Sequence, residues 1–255
     1  MDAGPRQPGL MSARPSRSNG GANHRRHPRR NGFTLLELLI VIAIAALLLG
    51  LLLPSLSGAR NNAALLKCQA NLREWSHAAI LYALDNEGCL PRRGQGAQAT
   101  TNISRAADWF NALPPLLGME SFTQLKSRGQ APSPGDRTLW VCPKATPVTV
   151  ENYFAYAMDM WLCTWQDPRP DRIDRVAPTD RQVFMSEGTG GYCSVLPSTH
   201  SYSPVARHAD LLNVTFLDGH VSAFSRDYVG CGTGDPKRPE LAWIVPNSTW
   251  PGPSE

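Results

Sequence analysis

One uninterrupted apolar run constrains the fold of this chain more than any other feature. Between Phe33 and Leu53 lie 21 residues in which Glu37 is the only charged side chain. A helix rises by about 1.5 Å per residue, so this run is about 30 Å long, the thickness of the hydrocarbon core of a bilayer. The sequence therefore predicts a membrane-spanning helix. It also raises the question of why a carboxylate that costs about 2.5–3.5 kcal/mol near a bilayer centre is kept there.

Positive charge is concentrated before this run. Residues 1–32 contain seven arginines and one aspartate among many Pro, Gly, Ser and Asn residues, a composition typical of an unstructured segment. The whole chain carries +4, so the remainder carries −2 and offers no basic surface for nucleic acid. By the positive-inside rule, this asymmetry predicts a single membrane pass, with the N-terminal segment in the cytoplasm and everything from about Leu56 onward exported.

Three interpretations of the apolar run are open. A cleaved secretory signal would use the small residues PSLSGA at 54–59, but the run exceeds the about 7–15 residues typical of such signals. Twin-arginine export is disfavoured because Arg29 and Arg30 stand one residue too far from the run. A plain membrane anchor fits the hydropathy but gives Glu37 no role. The third interpretation starts from the segment GFTLLELLIVIAIAALLLGLLLP, residues 32–54.

This segment resembles the processing site and hydrophobic helix of type IV prepilins and of the pseudopilins of type II secretion systems. The resemblance implies that a prepilin peptidase cleaves between Gly32 and Phe33 and that the new Phe33 amine is methylated. It implies an assembly role for Glu37, whose carboxylate would meet the terminal amine of a neighbouring subunit, because a buried charge is tolerated when it is paired. Pro54 stands where many members of the family carry a helix-bending proline.

The helix is expected to continue beyond the apolar run. Apolar residues recur at helical spacing from Leu65 through Leu72 to Ala79, with Trp75 alongside. The polar residues and glycine at 85–88 then supply a helix end. The pattern predicts a single helix of about 50 residues, embedded in the membrane in its first half and packed on a head in its second.

A second informative stretch, ARHADLLNVTFLDGHVSAF, lies near the C-terminus. Two β-rich runs, 213–217 and 220–224, flank Asp218-Gly219, and this predicts a hairpin with a two-residue type I′ turn. His208, followed by nine residues and Asp218-Gly219, resembles the H-x9-DG prepilin-processing-associated motif of Planctomycetes and related bacteria. Because both motifs occur in the expected order in one chain, they support the prepilin resemblance together.

The same hairpin carries a set of candidate metal ligands, His208, Asp210, Asp218 and His220. Calcium takes more oxygen ligands and structural zinc needs a closed tetrahedron, so neither a metal nor another cofactor is predicted here. The alternative function is an exported, membrane-tethered hydrolase or binding protein that uses His208 with Asp218 or Glu187. No nucleophile or complete ligand set can be identified for it, so the chain is predicted not to be an enzyme and to have no catalytic residues.

Six cysteines follow the membrane segment, in the compartment that the charge asymmetry predicts to be oxidising. An even number there favours disulfides, whose connectivity the sequence does not determine. We expect Cys163 to pair with Cys193, and Cys142 to pair with Cys68 or Cys89. The candidates for disulfide bonds are Cys68, Cys89, Cys142, Cys163, Cys193 and Cys231.

Together these features predict an α+β, pilin-like fold, in which a long N-terminal helix packs on a small antiparallel β-sheet head with long loops. The expected parts are a cleaved basic leader, a transmembrane and assembly half of the helix, a head-packed half, a periplasmic α+β head with the H-x9-DG hairpin, and a flexible tail. Their boundaries are 1–32, 33–54, 55–88, 89–245 and 246–255.

The expected function is that of a structural subunit of a type II secretion or type IV pilus-like filament. The resemblance implies a prepilin peptidase, other pilin-like subunits in a homo- or hetero-filament, the secretion or pilus assembly platform and the inner membrane as partners. Nucleic acid is not expected among them.

Overall fold

The computed structural model describes residues 32–95, 98–163, 172–176, 178–235 and 239–243, except for the side chains of residues 54 and 55. The predicted leader lies outside this part of the chain apart from Gly32, and the predicted tail at 246–255 lies wholly outside it. The chain divides into two compact units, 1–50 and 51–255. The helices are α1 (Leu35–Asp85), α2 (Trp109–Ala112), α3 (Phe122–Ser127) and α4 (Arg226–Val229), and the strands are β1 (Phe154–Asp159), β2 (Val183–Gly190), β3 (Ser194–Val195), β4 (Leu211–Phe216) and β5 (Val221–Ser225). Short 3₁₀ helices span Pro114–Leu117, Met160–Leu162 and Ile173–Arg175.

The apolar part of α1 is exposed along its whole length. Every residue from 32 to 53 is solvent-exposed, including the leucines, isoleucines and valines. Among the described residues, α1 is the one helix that is long and apolar enough to cross a membrane by length and composition. An apolar surface of this extent is unfavourable in water and marks a contact with lipid or protein.

The second part of α1 belongs to the larger unit and has a buried face. Cys68, Leu72, Trp75 and Ala79 are buried and recur every three or four residues, which places them on one side of the helix. The predicted stripe is therefore confirmed there, although Leu65 is only half-buried. The polar residues and glycine at 85–88 end the helix as predicted. α1 ends at Asp85, and Gly88, at a φ of 83°, donates its N–H to the Ala83 carbonyl at 2.7 Å.

The sheet has the strand order β3-β1-β2-β4-β5. The pairs β1–β2, β2–β4 and β4–β5 are antiparallel, whereas β3 runs parallel to β1. The predicted antiparallel sheet is thus mixed at one edge, because the chain leaves β2 and crosses to the far side of β1 before it forms β3. Sequence patterning did not indicate β3, which is only two residues long.

The head core forms between the sheet and the second part of α1. The Ser76 hydroxyl donates to the Phe216 carbonyl at 3.0 Å, and the Asn213 side-chain amide donates to the Leu65 carbonyl at 3.3 Å, so β4 lies along the helix. Trp75 contacts Trp109 and Trp140, with ring centroids 5.5 and 4.9 Å apart. The predicted α+β arrangement of a long helix on a small sheet is confirmed.

The predicted hairpin forms, but its turn differs from the expected one. Phe216 donates its N–H to the His220 carbonyl and accepts from Gly219, both at 3.0 Å, so three residues make the loop. Gly219 has a φ of 93°, and Asp218 does not have a positive φ. The prediction of a type I′ turn at Asp218-Gly219 is therefore wrong, because that turn needs two adjacent positive φ values. One glycine at positive φ is typical of a three-residue loop instead.

Candidate functional site

The start of α1 brings together the residues of the predicted processing site. Glu37 accepts hydrogen bonds through Oε2 from the Thr34 N–H and from the Thr34 hydroxyl, both at 2.8 Å. The Glu37 N–H donates in return to Thr34 Oγ1 at 3.2 Å. This reciprocal pair is a capping box, which satisfies two backbone donors that a helix start leaves free.

Glu37 therefore has a local role that the sequence interpretation missed. The signal was present, because a threonine followed three residues later by glutamate, just before an apolar run, is the signature of a capping box. Both bonds use the same oxygen, and an ionised carboxylate offers about four acceptor positions. Glu37 can cap its own helix and still accept a further donor.

Gly32 lies in an open position just before α1. Within the described part of the chain, no atom lies within 4 Å of where a side-chain Cβ would stand, and the φ of Gly32 is outside the left-handed region. Phe33 is 72% exposed. The fold of this chain thus sets no requirement for glycine at position 32.

His208 is positioned by a tight turn that precedes β4. His208 and Leu211 exchange both backbone hydrogen bonds, at 3.0 and 3.1 Å, and the two residues between them have positive φ, 50° at Ala209 and 70° at Asp210. This is the pattern of a two-residue type I′ turn. It directs the His208 side chain into the core, where the residue is 2% exposed.

Four side chains with ligating atoms meet in the core around His208. The set is Cys68 of α1, Cys142 of the loop before β1, Glu187 of β2 and His208, and their ligand atoms all lie within 4.8 Å of one another. His208 Nε2 lies 2.8 Å from Glu187 Oε1 and 3.3 Å from Cys142 Sγ. The Sγ atoms of Cys68 and Cys142 are 2.7 Å apart. We call this set the buried cluster.

Polar groups around the buried cluster hold three of its members in place. The Tyr156 hydroxyl donates to Cys68 Sγ at 3.3 Å, and the Lys144 N–H donates to Cys142 Sγ at 3.4 Å. The backbone N–H of Asn213 donates to Glu187 Oε2 at 3.1 Å.

The cluster also shifts the pKa values of its members. Burial by itself lowers the pKa of His208, but hydrogen bonds with Cys142 and Glu187 outweigh this effect and raise it to about 9. The hydrogen bond from Cys68 lowers the pKa of Cys142 to about 7, against the effect of burial. The same hydrogen bond, together with burial, raises the pKa of Cys68.

The four candidate metal ligands around the hairpin do not come together. Asp210 is exposed and accepts from Arg226 Nε at 2.9 Å, which ties the turn to α4. Asp218 lies 2.6 Å from His220 Nδ1 at the exposed hairpin end. Of the four residues, only His208 belongs to the buried cluster, because the strand β4 separates it from Asp218.

The arrangement does not match a nucleophilic catalytic site. Cys142, His208 and Glu187 are the residue types of a catalytic triad, but a triad uses one ring nitrogen for the nucleophile and the other for the carboxylate. Here His208 Nε2 contacts both Cys142 and Glu187. All members of the cluster are buried, so a substrate has no access to them.

The remaining cysteines lie at several places in the head. Cys231 is buried, and burial raises its pKa to about 12. Cys89 is half-buried and forms a β-bridge with Arg172. Cys163 and Cys193 are buried close to Arg93. Burial lowers the pKa of Arg93 overall, although these two neighbours partly oppose that shift. The pairing of Cys163 with Cys193 stays a prediction, and so does the pairing of Cys142 with Cys68 or Cys89.

Comparisons with known proteins match part of the chain. The family described as "Prokaryotic N-terminal methylation motif" matches residues 27–53. The chain is 37% identical over 79 residues to "Type II secretion system core protein G" of Aeromonas hydrophila, which is 31% of this chain and 54% of that protein. It is also 37% identical over 78 residues to the protein of the same name in Klebsiella pneumoniae, covering 31% of this chain and 55% of that one. The chain thus spans about half the length of these relatives, and no solved structure matches it significantly.

Proposed function

We propose that this chain is a pseudopilin or pilin-like structural subunit of a type II secretion or type IV pilus-like filament. The observation that carries the proposal is the match of the N-terminal methylation motif to residues 27–53, which include the exposed apolar part of α1. A helix with this exposed surface needs a membrane before assembly and neighbouring helices after it. Similarity to two type II secretion core proteins over about 80 residues supports the same class.

The processing step is proposed to occur between Gly32 and Phe33, by a prepilin peptidase that also methylates the Phe33 amine. The open surroundings of Gly32 support this assignment, because the fold itself would accept a side chain there. Cleavage there would remove the basic leader and leave Thr34 and Glu37 at the second and fifth positions of the mature chain.

Glu37 is proposed to pair with the Phe33 amine of a neighbouring subunit during assembly. In its own chain the carboxylate already accepts from Thr34, which fixes its direction at the start of the helix. Because a carboxylate has further acceptor positions, the amine of a second subunit can join without breaking the cap. The pair would neutralise two charges in an apolar environment and set the stagger between adjacent helices.

The partners proposed for the chain follow from this role. They are the prepilin peptidase, other pilin-like subunits, the assembly platform and the inner membrane, with the head on the periplasmic or extracellular side. The charge asymmetry around the apolar run supports this orientation. We propose no catalytic activity, since the grouping of suitable residue types found in the described part of the chain is buried and has both contacts on one ring nitrogen.

The processing step gives the test of the proposed function. Intact and N-terminal mass spectrometry of the full chain, expressed with its cognate peptidase, should give a mature protein that begins with methylated Phe33. Gly32→Leu should keep the leader, while the control Gly58→Leu, which also adds leucine at an open, exposed position, should be processed normally. A mature terminus near Arg60 would refute the proposal in favour of a secretory signal. Normal processing of Gly32→Leu would also count against a prepilin peptidase site.

A further inference from the structure

We propose that Cys68, Cys142, Glu187 and His208 bind one structural Zn²⁺ ion in the core of the head. This inference is independent of the proposed filament role. The four residues come from α1, the loop before β1, β2 and the turn before β4, and the fold brings their ligand atoms within 4.8 Å of one another. Their convergence from four separate parts of the chain is the first observation that supports a built site.

The residue types and their number match zinc. Structural zinc takes four ligands in a tetrahedron, from thiolates at about 2.3 Å, imidazole nitrogens at about 2.0–2.1 Å and carboxylate oxygens. These bond lengths place neighbouring ligand atoms about 3.3–3.8 Å apart. Cys142 Sγ lies at such separations from His208 Nε2 and Glu187 Oε1, 3.3 and 3.4 Å. The two sulfurs, 2.7 Å apart, and the His208 Nε2–Glu187 Oε1 pair, 2.8 Å apart, would have to separate to admit the ion. Two sulfur ligands exclude magnesium and calcium, which prefer oxygen.

A second layer of donors surrounds the proposed ligands. The Lys144 N–H and the Tyr156 hydroxyl each donate to one cysteine sulfur, and the Asn213 N–H donates to the Glu187 oxygen that points away from the cluster centre. Such donors hold ligands in orientation and offset the negative charge of thiolates and a carboxylate. The Lys144 bond follows from the local sequence Cys-Pro-Lys, which turns the backbone so that an N–H faces the preceding sulfur.

A disulfide between Cys68 and Cys142 explains less of this arrangement. It would account for the two sulfurs alone, and the buried Glu187 and His208 beside them would be paired only with each other, at 2.8 Å, and with the Asn213 N–H. It would also give the Tyr156 and Lys144 donors a neutral sulfur, which is a weak acceptor. A zinc ion uses all four residues at once, and its binding displaces the thiol protons to solvent.

The proposed ion would tie the helix to the sheet. Cys68 lies on α1, whereas Glu187 and His208 belong to β2 and to the turn that leads into β4. His208 is also the first residue of the H-x9-DG pattern, and Gly219 is its last. Gly219 packs against α1 so closely that a Cβ added to it would lie 3.3 Å from the Ile80 side chain. The two ends of the pattern would then hold the same helix at two points, one through the metal and one through packing.

The test begins with the full chain, extracted from membranes in detergent without chelators. Elemental analysis should find about one zinc per chain, and thiol mapping after metal removal should find Cys68 and Cys142 as free thiols. Replacement of zinc by Co²⁺ should give the visible bands of a tetrahedral site and the near-ultraviolet bands of sulfur-to-cobalt charge transfer. A folded, reduced protein that takes up neither metal would overturn the proposal, and so would a Cys68–Cys142 disulfide in the protein as isolated.

Variants localise the site. Cys68→Ser and His208→Gln should abolish stoichiometric zinc, whereas the control Cys231→Ser, at a buried cysteine outside the cluster, should retain it. Tyr156→Phe keeps the ring and removes the donor to Cys68, so zinc affinity should fall by about 10–100-fold while the cobalt spectrum stays tetrahedral. If a ligand variant fails to fold, the zinc affinity of Tyr156→Phe and the cobalt spectrum of the wild-type protein still test the proposal. Unchanged affinity in Tyr156→Phe, or zinc lost equally from Cys231→Ser, would contradict the assignment.

Discussion

The turn before β4 gives the sharpest stability prediction. Ala209 occupies the left-handed region with a φ of 50°, is solvent-exposed, and is followed by Asp210 at 70°. An L-residue with a Cβ is strained there, whereas glycine is not. We therefore expect Ala209→Gly to stabilise the head, which is opposite to the usual effect of an alanine-to-glycine change.

The size of the effect follows from two opposing contributions. Relief of the left-handed conformation is worth about 1–2 kcal/mol for a residue with a Cβ. Glycine adds conformational freedom to the unfolded chain, which offsets about 0.4–1 kcal/mol. The free energy of unfolding should therefore rise by about 0.5–1 kcal/mol, because the exposed side chain of Ala209 contributes little packing. For a chain of this size, this corresponds to an increase in Tm of about 1–4 °C.

Thermal unfolding of the full chain in detergent, followed by circular dichroism, measures the shift. The matched control is Ala63→Gly, the same chemical change at an exposed position inside α1. That variant should lose about 1 kcal/mol, because glycine is unfavourable in a helix interior. A decrease in Tm for Ala209→Gly, or changes of the same sign in both variants, would refute the strained turn.

Three further predictions concern assembly, oxidation and the hairpin. Glu37→Val should insert and be processed but fail to form filaments seen by electron microscopy, since breaking a buried charge pair costs about 3–5 kcal/mol. Thr34→Val, which loses the cap hydroxyl but keeps the carboxylate, should still assemble, and equal loss in both would mean that capping alone explains Glu37. Non-reducing peptide mapping should find Cys163 linked to Cys193; free thiols at both would contradict the export-and-disulfide prediction. Gly219→Ala should lower the free energy of unfolding by about 1–2 kcal/mol, because its φ is 93° and the new Cβ would approach Ile80, and an unchanged Tm would count against the hairpin geometry.

The parts of the fold that the sequence predicted depend on local signals. Helix α1 ends at Asp85 because the apolar spacing stops and Gly88 supplies the positive φ that a helix end needs. The hairpin forms because two β-rich runs flank Asp218 and Gly219. Its turn was assigned wrongly because composition alone does not separate a two-residue loop from a three-residue loop around the same glycine.

The buried cluster was not predicted because its members are distant in sequence. Seventy-four residues separate Cys68 from Cys142, and Glu187 lies a further 45 along the chain. Their meeting depends on how β2 and β4 lie against α1, which periodicity does not specify. The type I′ turn that positions His208 also lacked a signal, because Ala209 is not a residue that turns normally select.

The three tryptophans at the junction of α1 and the head give the protein an internal optical reporter. Trp75 belongs to the helix, whereas Trp109 and Trp140 belong to the head, and the ring centroids of the three lie 4.9–6.2 Å apart. Indole transitions at such separations couple, so the near-ultraviolet circular dichroism of this trio depends on the helix being docked. Subunits that undock the helix on entering a filament would lose that signal while their far-ultraviolet spectrum stayed helical. Helix docking in this protein can thus be followed without a label.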